Sequence, residues 1–226
     1  MKKSRRNFIK KTAAASSATF LAPSIISASV FGANDRINAS VLGINGRGKN
    51  HISSLMKQKN VQVVNLCDPD MNLLKVRQKE FKNKYKKDVS LEQDLRRVMD
   101  NKDIDVVSIA SPNHWHSLSV IWACQAGKDV YVEKPGSHNI FEGRKMVEAT
   151  QKYDRIVQHG VQLRSSPAIN EAIGLLRNGY IGNVYMARGL VFRWRGDIGD
   201  KGFSSVPNGL DYDLWTGPAP KRPFTE

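Results

Sequence analysis

Three short stretches of this chain place residues with chemical potential at informative spacings. The first is GINGRGKNH, Gly43 to His51. A dinucleotide site needs a tight turn, backbone N–H groups close to a pyrophosphate, and a helix N-terminus aimed at the phosphates. Against G-x-G-x-x-G, Gly43 and Gly48 fill the first and third positions, while Asn45 takes the second with Gly46 directly after it. Asn is the non-glycine residue that best tolerates a left-handed backbone, so the departure is bearable. Gly43, Asn45, Gly46, Arg47 and Gly48 are therefore candidate cofactor-binding residues. Asp68 follows Gly48 by twenty residues and closes the next apolar run. A carboxylate there accepts both ribose hydroxyls of an adenosine and repels a 2′-phosphate, which favours NAD over NADP. Lys75 and Arg77 lie close enough in sequence to keep NADP open. The competing reading is a phosphate-free α/β core in which Asp68 caps the next helix.

The second stretch is SPNHWH, Ser111 to His116. Pro112 ends a strand, and Asn113, His114, Trp115 and His116 would face a cleft beyond it, with Ser111 a further candidate cofactor contact. His114 and His116 are spaced like two metal ligands, but no third ligand is in view, and one of them could simply cap the helix. Cofactor and substrate contacts are preferred to a metal, with Trp115 on the substrate side. The third is VEKPGSHN, Val132 to Asn139. A strand running straight into Glu133, Lys134 and Pro135 sets a charged pair on the rim where a nicotinamide would lie. Lys134 is the candidate catalytic residue, an amine placed to exchange a proton with a substrate hydroxyl. The turn that aims it is expected to hold Lys134–Pro135 as a cis peptide.

The elements that must position these residues alternate along the chain. Apolar runs at Ala39–Gly43, Val61–Cys67, Ile104–Ala110, Asp129–Val132 and Ile156–His159 read as strands. Amphipathic segments at Lys49–Lys57, Met71–Tyr85, Ser117–Gln125 and Ile140–Tyr153 read as helices, the last capped by Asn139 with Glu142 returning the bond. Leu91–Met99 reads as a further helix, begun by Ser90 with Gln93 three residues later as a capping box. Short strands alternating with helices mean a parallel sheet covered on both faces, with ligands beyond the carboxyl ends of the strands.

Ahead of this lies SRRNFIK, Ser4 to Lys10, inside a basic segment with no acid before Asp35. A weakly apolar run, Thr12 to Ile26, and the small residues Ser27 to Ser29 follow. Residues 1–29 thus read as a twin-arginine export signal, giving a periplasmic location and the twin-arginine machinery as a partner. The run is too short and too rich in Ser and Thr for stable membrane insertion. Setting the leader aside removes six basic residues and no acidic one, so the formal charge falls from +14 to +8. Much of the remainder sits in KVRQKEFKNKYKK, Lys75 to Lys87, spaced as the solvated face of a helix and without interleaved aromatics. Nucleic acid is not an expected partner. Cys67 and Cys124 are the only cysteines, both in apolar stretches, so they read as core residues and not as a disulfide framework.

GINGRGKNH, CDPD, ASPNHWH, GKDVYVEKP and GVQLRSSPA together resemble the glucose–fructose oxidoreductase / inositol dehydrogenase / MocA family of sugar dehydrogenases, from about Ile37 to the end of the chain. The resemblance implies a Rossmann NAD-binding domain over residues 36–158. It implies that residues 159–226 begin an α+β substrate domain with an open, mostly antiparallel sheet, including a strand near Asn183–Arg193. It makes Lys134 the catalytic lysine, sets Glu133 and Gln162 beside the nicotinamide, lines the cofactor cleft with Pro112, Asn113 and His116, and turns Arg164 toward substrate. The implied activity is oxidation of a sugar or polyol hydroxyl with tightly held NAD, in a homo-oligomer when full length. Family members run well past residue 300 and supply a histidine from a D-x-x-x-H pair, whereas no histidine here follows His159. The chain therefore reads as a fragment. The related NAD-dependent α-N-acetylgalactosaminidases, which also carry twin-arginine leaders and cleave glycosides by transient oxidation, typically have Val-Pro after the glutamate. Lys134 favours a dehydrogenase over that redox-assisted glycosidase, and an inactive sugar-binding relative is a further alternative.

Overall fold

The computed structural model describes residues 36–197, 199 and 201–225, so the expected leader lies outside the described residues. Six strands form one parallel sheet: β1 (Ile37–Leu42), β2 (Val61–Cys67), β3 (Ser90–Glu92), β4 (Val106–Ile109), β5 (Asp129–Glu133) and β6 (Val157–Gly160). Their order across the sheet is β3-β2-β1-β4-β5-β6, so the chain reverses direction of travel between β1 and β4. That is the switch point where the strand ends part to leave a crevice. Helices α1 (Arg47–Leu55), α2 (Met71–Tyr85), α3 (Leu95–Asp100), α4 (Asn113–Gln125) and α5 (Ile140–Tyr153) connect the strands.

The pleat explains the two cores. Ala39 and Val41 of β1 join Val63, Leu66, Leu74 and Phe81 on the side of α1 and α2. Leu42 points the other way, with Val107, Ile109, Val120, Val132 and Met146, under α4 and α5. Covered on both faces, the central strands are largely apolar, with Ser40, Asn65 and Ser108 as buried polar exceptions. Cys67 and Cys124 are buried free thiols in the second of these clusters.

Helix starts follow local chemistry. Asp70 caps α2, its Oδ1 accepting from Asn72 N at 2.8 Å and Leu73 N at 3.3 Å. Asn139 caps α5 as expected, accepting from Glu142 N at 2.9 Å. Glu142 returns the bond with its carboxylate, Oε1 accepting from Asn139 Nδ2 at 3.2 Å and Oε2 from His138 N at 3.0 Å. The helix expected over Leu91–Met99 is corrected. Ser90–Glu92 is a strand, and α3 starts at Leu95 under Asp94, which accepts from Arg96 N at 2.9 Å. Pairing with β2 outweighs the capping pattern: Ser90 Oγ accepts from Asn65 Nδ2 at 3.0 Å and donates to Val64 O at 2.9 Å, which leaves no hydroxyl to cap a helix. Helix α4 also starts earlier than expected, directly after Pro112.

Beyond β6 come a 3₁₀ turn at Gln162–Ser165 and helices α6 (Pro167–Arg177) and α7 (Tyr212–Thr216). The strand expected near Asn183–Arg193, and with it the antiparallel sheet, does not form among the described residues; only two isolated bridges, Asp70–Leu210 and Phe203–Thr225, occur after β6. A strand takes its hydrogen bonds from a neighbour, and no described segment runs alongside this one. Val184, Met186, Leu190 and Phe192 are accordingly exposed. No described helix is long and apolar enough to cross a membrane.

Candidate cofactor and active site

The glycine turn lies between β1 and α1. Gly43 has φ +78°, and a Cβ there would sit 2.6 Å from Ser111 N. At Gly48 a Cβ would fall 1.9 Å from Gly43 O, so both positions exclude any side chain. Nothing lies within 4 Å of a Cβ built at Gly46, so the turn is open on that side. Helix α1 carries no side-chain cap and no acid in its first turn. Its free N–H groups and positive dipole end are left for an anion.

Asp68 closes β2 beside this turn. Its Oδ2 accepts from Ile44 N at 3.0 Å and its Oδ1 from Asp70 N at 3.1 Å. Burial pushes the Asp68 carboxyl above its usual value, against the pull of those two amides. Each oxygen retains a lone pair, so the carboxylate is prepositioned to accept ribose hydroxyls. The two cations that left NADP open stand elsewhere. Arg77 lies under the turn, donating to Ile44 O at 3.0 Å, to Asn45 O at 3.1 Å and to Glu80. Lys75 is exposed and lines neither cleft. Asp68→Ala is expected to weaken NAD by on the order of 2–4 kcal/mol and to narrow the gap to NADP. Calorimetric titration with both nucleotides checks this, and an unchanged preference removes Asp68 from the site.

Two clefts open side by side at the carboxyl ends of the strands. One, of about 470 Å³, is lined by Gly43, Asn45, Gly46, Asp68, Pro112 and Trp115 among others. The other, of about 490 Å³, is lined by Arg47, Asn113, His116, Glu133, Lys134 and Gln162. Ala110 and Ser111 line both. Ser111 Oγ is buried there with no hydrogen-bond partner. An orphaned hydroxyl costs free energy that a ligand spanning the two clefts would recover. The glycine cradle, the uncapped helix and this hydroxyl together fit a dinucleotide laid from Asp68 to Lys134.

The second cleft is built around Glu133, a buried carboxylate at the end of β5. Its Oε1 accepts from Arg47 Nε at 2.8 Å, His51 Nε2 at 3.0 Å and Gln162 Nε2 at 2.6 Å. Burial alone would raise its pKa, but the hydrogen bonds from Arg47, His51 and Gln162 prevail and hold the carboxyl at about 2. His51 is itself buried, which pushes its pKa down. With the proton on Nε2 it donates to Glu133 and accepts from Ser108 Oγ at 2.9 Å through Nδ1. His51 and Ser108 are site residues that the sequence reading did not assign. Next in the chain, Lys134 is exposed toward the cleft, and the Lys134–Pro135 peptide is cis as expected.

The remaining candidates divide. His116 lines the second cleft, but both its nitrogens face carbonyls, Nδ1 to Pro135 O at 2.6 Å and Nε2 to Ser111 O at 2.8 Å. It braces the Lys134–Pro135 turn and has no ring nitrogen left for a ligand. Trp115, expected on the substrate side, stands instead in the first cleft beside Asp68. Successive residues of a helix point about 100° apart, so Trp115 and His116 cannot share a side. Arg164 is exposed and lines neither cleft.

Comparison with known proteins turns this arrangement into a family assignment. Residues 37–161, more than half the chain, match the family model described as the Oxidoreductase family, NAD-binding Rossmann fold, of the Gfo/Idh/MocA type. The chain belongs to the Gfo/Idh/MocA oxidoreductases. It is 33% identical to levoglucosan dehydrogenase of Pseudarthrobacter phenanthrenivorans over 105 residues, covering 46% of this chain and 27% of that protein. It is 28% identical to inositol 2-dehydrogenase of Salmonella typhimurium over 144 residues, covering 63% of this chain and 42% of that enzyme. A solved structure of scyllo-inositol dehydrogenase from Lactobacillus casei with NAD(H) and scyllo-inositol superposes with a TM-score of 0.60 at 23% identity, over 66% of this chain and 43% of that one, which shows the shared fold. The matches span less than half the length of each of these relatives. In Gfo/Idh/MocA terms, the described sheet is the NAD-binding domain.

Proposed function

We propose that this protein is an NAD-dependent dehydrogenase that oxidises a secondary hydroxyl of a sugar or polyol, with Lys134 as its general base. One observation carries the reading: Lys134 stands exposed in a cleft that adjoins the one lined by the glycine turn, the two sharing Ala110 and Ser111, next to a glutamate fixed by three donors. When bound, NAD supplies the acceptor for the hydrogen and electron pair leaving the carbinol carbon. The chain's part is to hold and to deprotonate. The α1 N-terminus and the turn bind the phosphates, Asp68 binds the ribose, and Glu133 holds Arg47 and Gln162 at the edge of the reaction cleft. Lys134 Nζ takes the proton from the hydroxyl oxygen. The relatives named for levoglucosan and inositol support a cyclic polyol or anhydrosugar as the substrate class.

Arg5 and Arg6, with the apolar run behind them, support export of the folded protein by the twin-arginine route to the periplasm. NAD is then loaded before export and retained, because free NAD outside is scarce. Absorbance of reduced nicotinamide, followed as the NAD-loaded full-length protein meets a panel of inositols, glucosides and anhydrosugars, tests the proposal. Reduction by at least one member is expected, and a silent panel with NAD bound overturns it.

A further inference from the structure

Residues 208–217 come from far along the chain yet complete the first cleft. They run as a strap over its mouth and are pinned at both ends. On the β2 side, Met71 N donates to Gly209 O at 2.9 Å, Asp211 N to Pro69 O at 3.0 Å, and Asn72 Nδ2 to Asn208 O at 2.7 Å. On the α4 side, Trp115 Nε1 donates to Leu214 O at 3.0 Å and Trp215 O at 3.1 Å, and His114 Nε2 lies 3.0 Å from Trp215 O. Both ends also depend on glycine. Gly209 has φ +90°, and Gly217 has φ +51° with a would-be Cβ 2.1 Å from Trp115 Cζ2. Between the pins, Leu210, Leu214 and Trp215 line the cleft together with Leu73, Leu95 and Pro112. Tyr212 stacks on Trp215 at 5.8 Å between ring centroids and 16° between planes, which braces the indole from behind.

We propose that this strap is the outer wall of the adenine slot and sets how long the cofactor stays bound. The inference rests on the NAD reading above and adds to it residues outside the stretch matched by the family model. Three features point to a base. The cleft is lined largely by apolar side chains, Asp68 shares that lining, and the strap contributes the aromatic ring of Trp215 to it. A purine entering it is sandwiched, and it leaves only by breaking the stack or lifting a strap held from both sides.

Trp215→Ala tests this by titration calorimetry with NAD, ADP-ribose and nicotinamide mononucleotide, the last lacking the adenine. Loss of one aromatic–base stack is expected to weaken NAD and ADP-ribose alike by roughly 10- to 100-fold, mainly through faster release, and to leave the mononucleotide unchanged. Trp215→Phe, which keeps a ring in place, is expected to stay within a few-fold of the wild type. Equal affinity of Trp215→Ala and wild type for NAD overturns the inference while leaving the NAD reading intact. Equal losses for all three ligands also overturn it, because the strap would then be holding the fold and not the base. Failure of the wild type to bind NAD or ADP-ribose defeats both readings together.

Discussion

Lys134→Met is expected to keep NAD bound while slowing its reduction by about 10²–10⁴-fold, the usual worth of a positioned general base. The geometry separates the two properties. On the proposed reading, Gly43, Asn45, Gly46 and Asp68 hold the phosphates and ribose from one cleft, whereas Lys134 lines the other and makes no hydrogen bond or ion pair among the described residues. Met matches the length and the apolar stem of lysine and removes only the amine, so little of the fold is disturbed. Single-turnover reduction of bound NAD, in protein that turns over a sugar or polyol, reads the chemical step directly. Reduction at the wild-type rate removes Lys134 as the base. Loss of NAD with normal chemistry once NAD is resupplied makes it a cofactor ligand.

The second large effect concerns Glu133. Glu133→Ala leaves Arg47, His51 and Gln162 without their shared acceptor, and of the three only His51 is buried. Because Arg47 is 44% exposed and can rehydrate, the cost belongs at the low end for a broken buried pair, on the order of 3 kcal/mol. For a chain of this size that lowers the melting temperature by about 6–12 °C. Acid should reproduce part of this loss in the wild type. The Glu133 carboxyl is held at about 2 against an ordinary 4.5, so the folded form binds fewer protons than the unfolded chain between those values. Its contribution is complete above pH 4.5 and disappears as the pH falls toward 2. His51, held below 6.5 by burial, adds a loss of the same sign that begins at higher pH. Thermal melts of ligand-free protein across this range, wild type against Glu133→Gln, are expected to show the acid slope flattened in the variant. Parallel curves would show that the carboxylate carries no such linkage.

Sequence patterning exposed the parts of this architecture that are local. β-Branched runs marked the strands, and the spacing from Gly48 to Asp68 marked the cofactor end, because a strand–turn–helix–strand unit fixes that distance by its own length. The parts that stayed hidden depend on partners far away in the chain. Ser90 and Gln93 satisfy a helix-capping pattern, yet Ser90 bonds to Asn65 and Val64, which only the sheet brings near. His51 looks like one more polar helix residue until β5 delivers Glu133 to it. A short run of His, Trp and Asn says which residues gather at a strand end, not which way each one turns, so it does not tell that Trp115 lines one cleft and His116 the other. Residues 208–217 carry no pattern that names Pro69 or Trp115 as their anchors. The strand expected near Asn183–Arg193 needs a neighbour that no local propensity can provide.

The bonds to Glu133 bear on the order in which this domain assembles. Arg47 and His51 lie in the β1–α1 half of the sheet, 86 and 82 residues before their acceptor in the other half. Neither bond can form while either half folds alone, and both wait for β1 and β4 to pair at the centre. Closing so long a loop costs entropy before any contact repays it, so the Glu133 cluster belongs to the late stages of folding. Contacts that are absent from the transition state act on the unfolding rate and barely on the folding rate. The residues that hold the reaction cleft in shape thus also act as its latch, slowing the separation of the two halves once they have met.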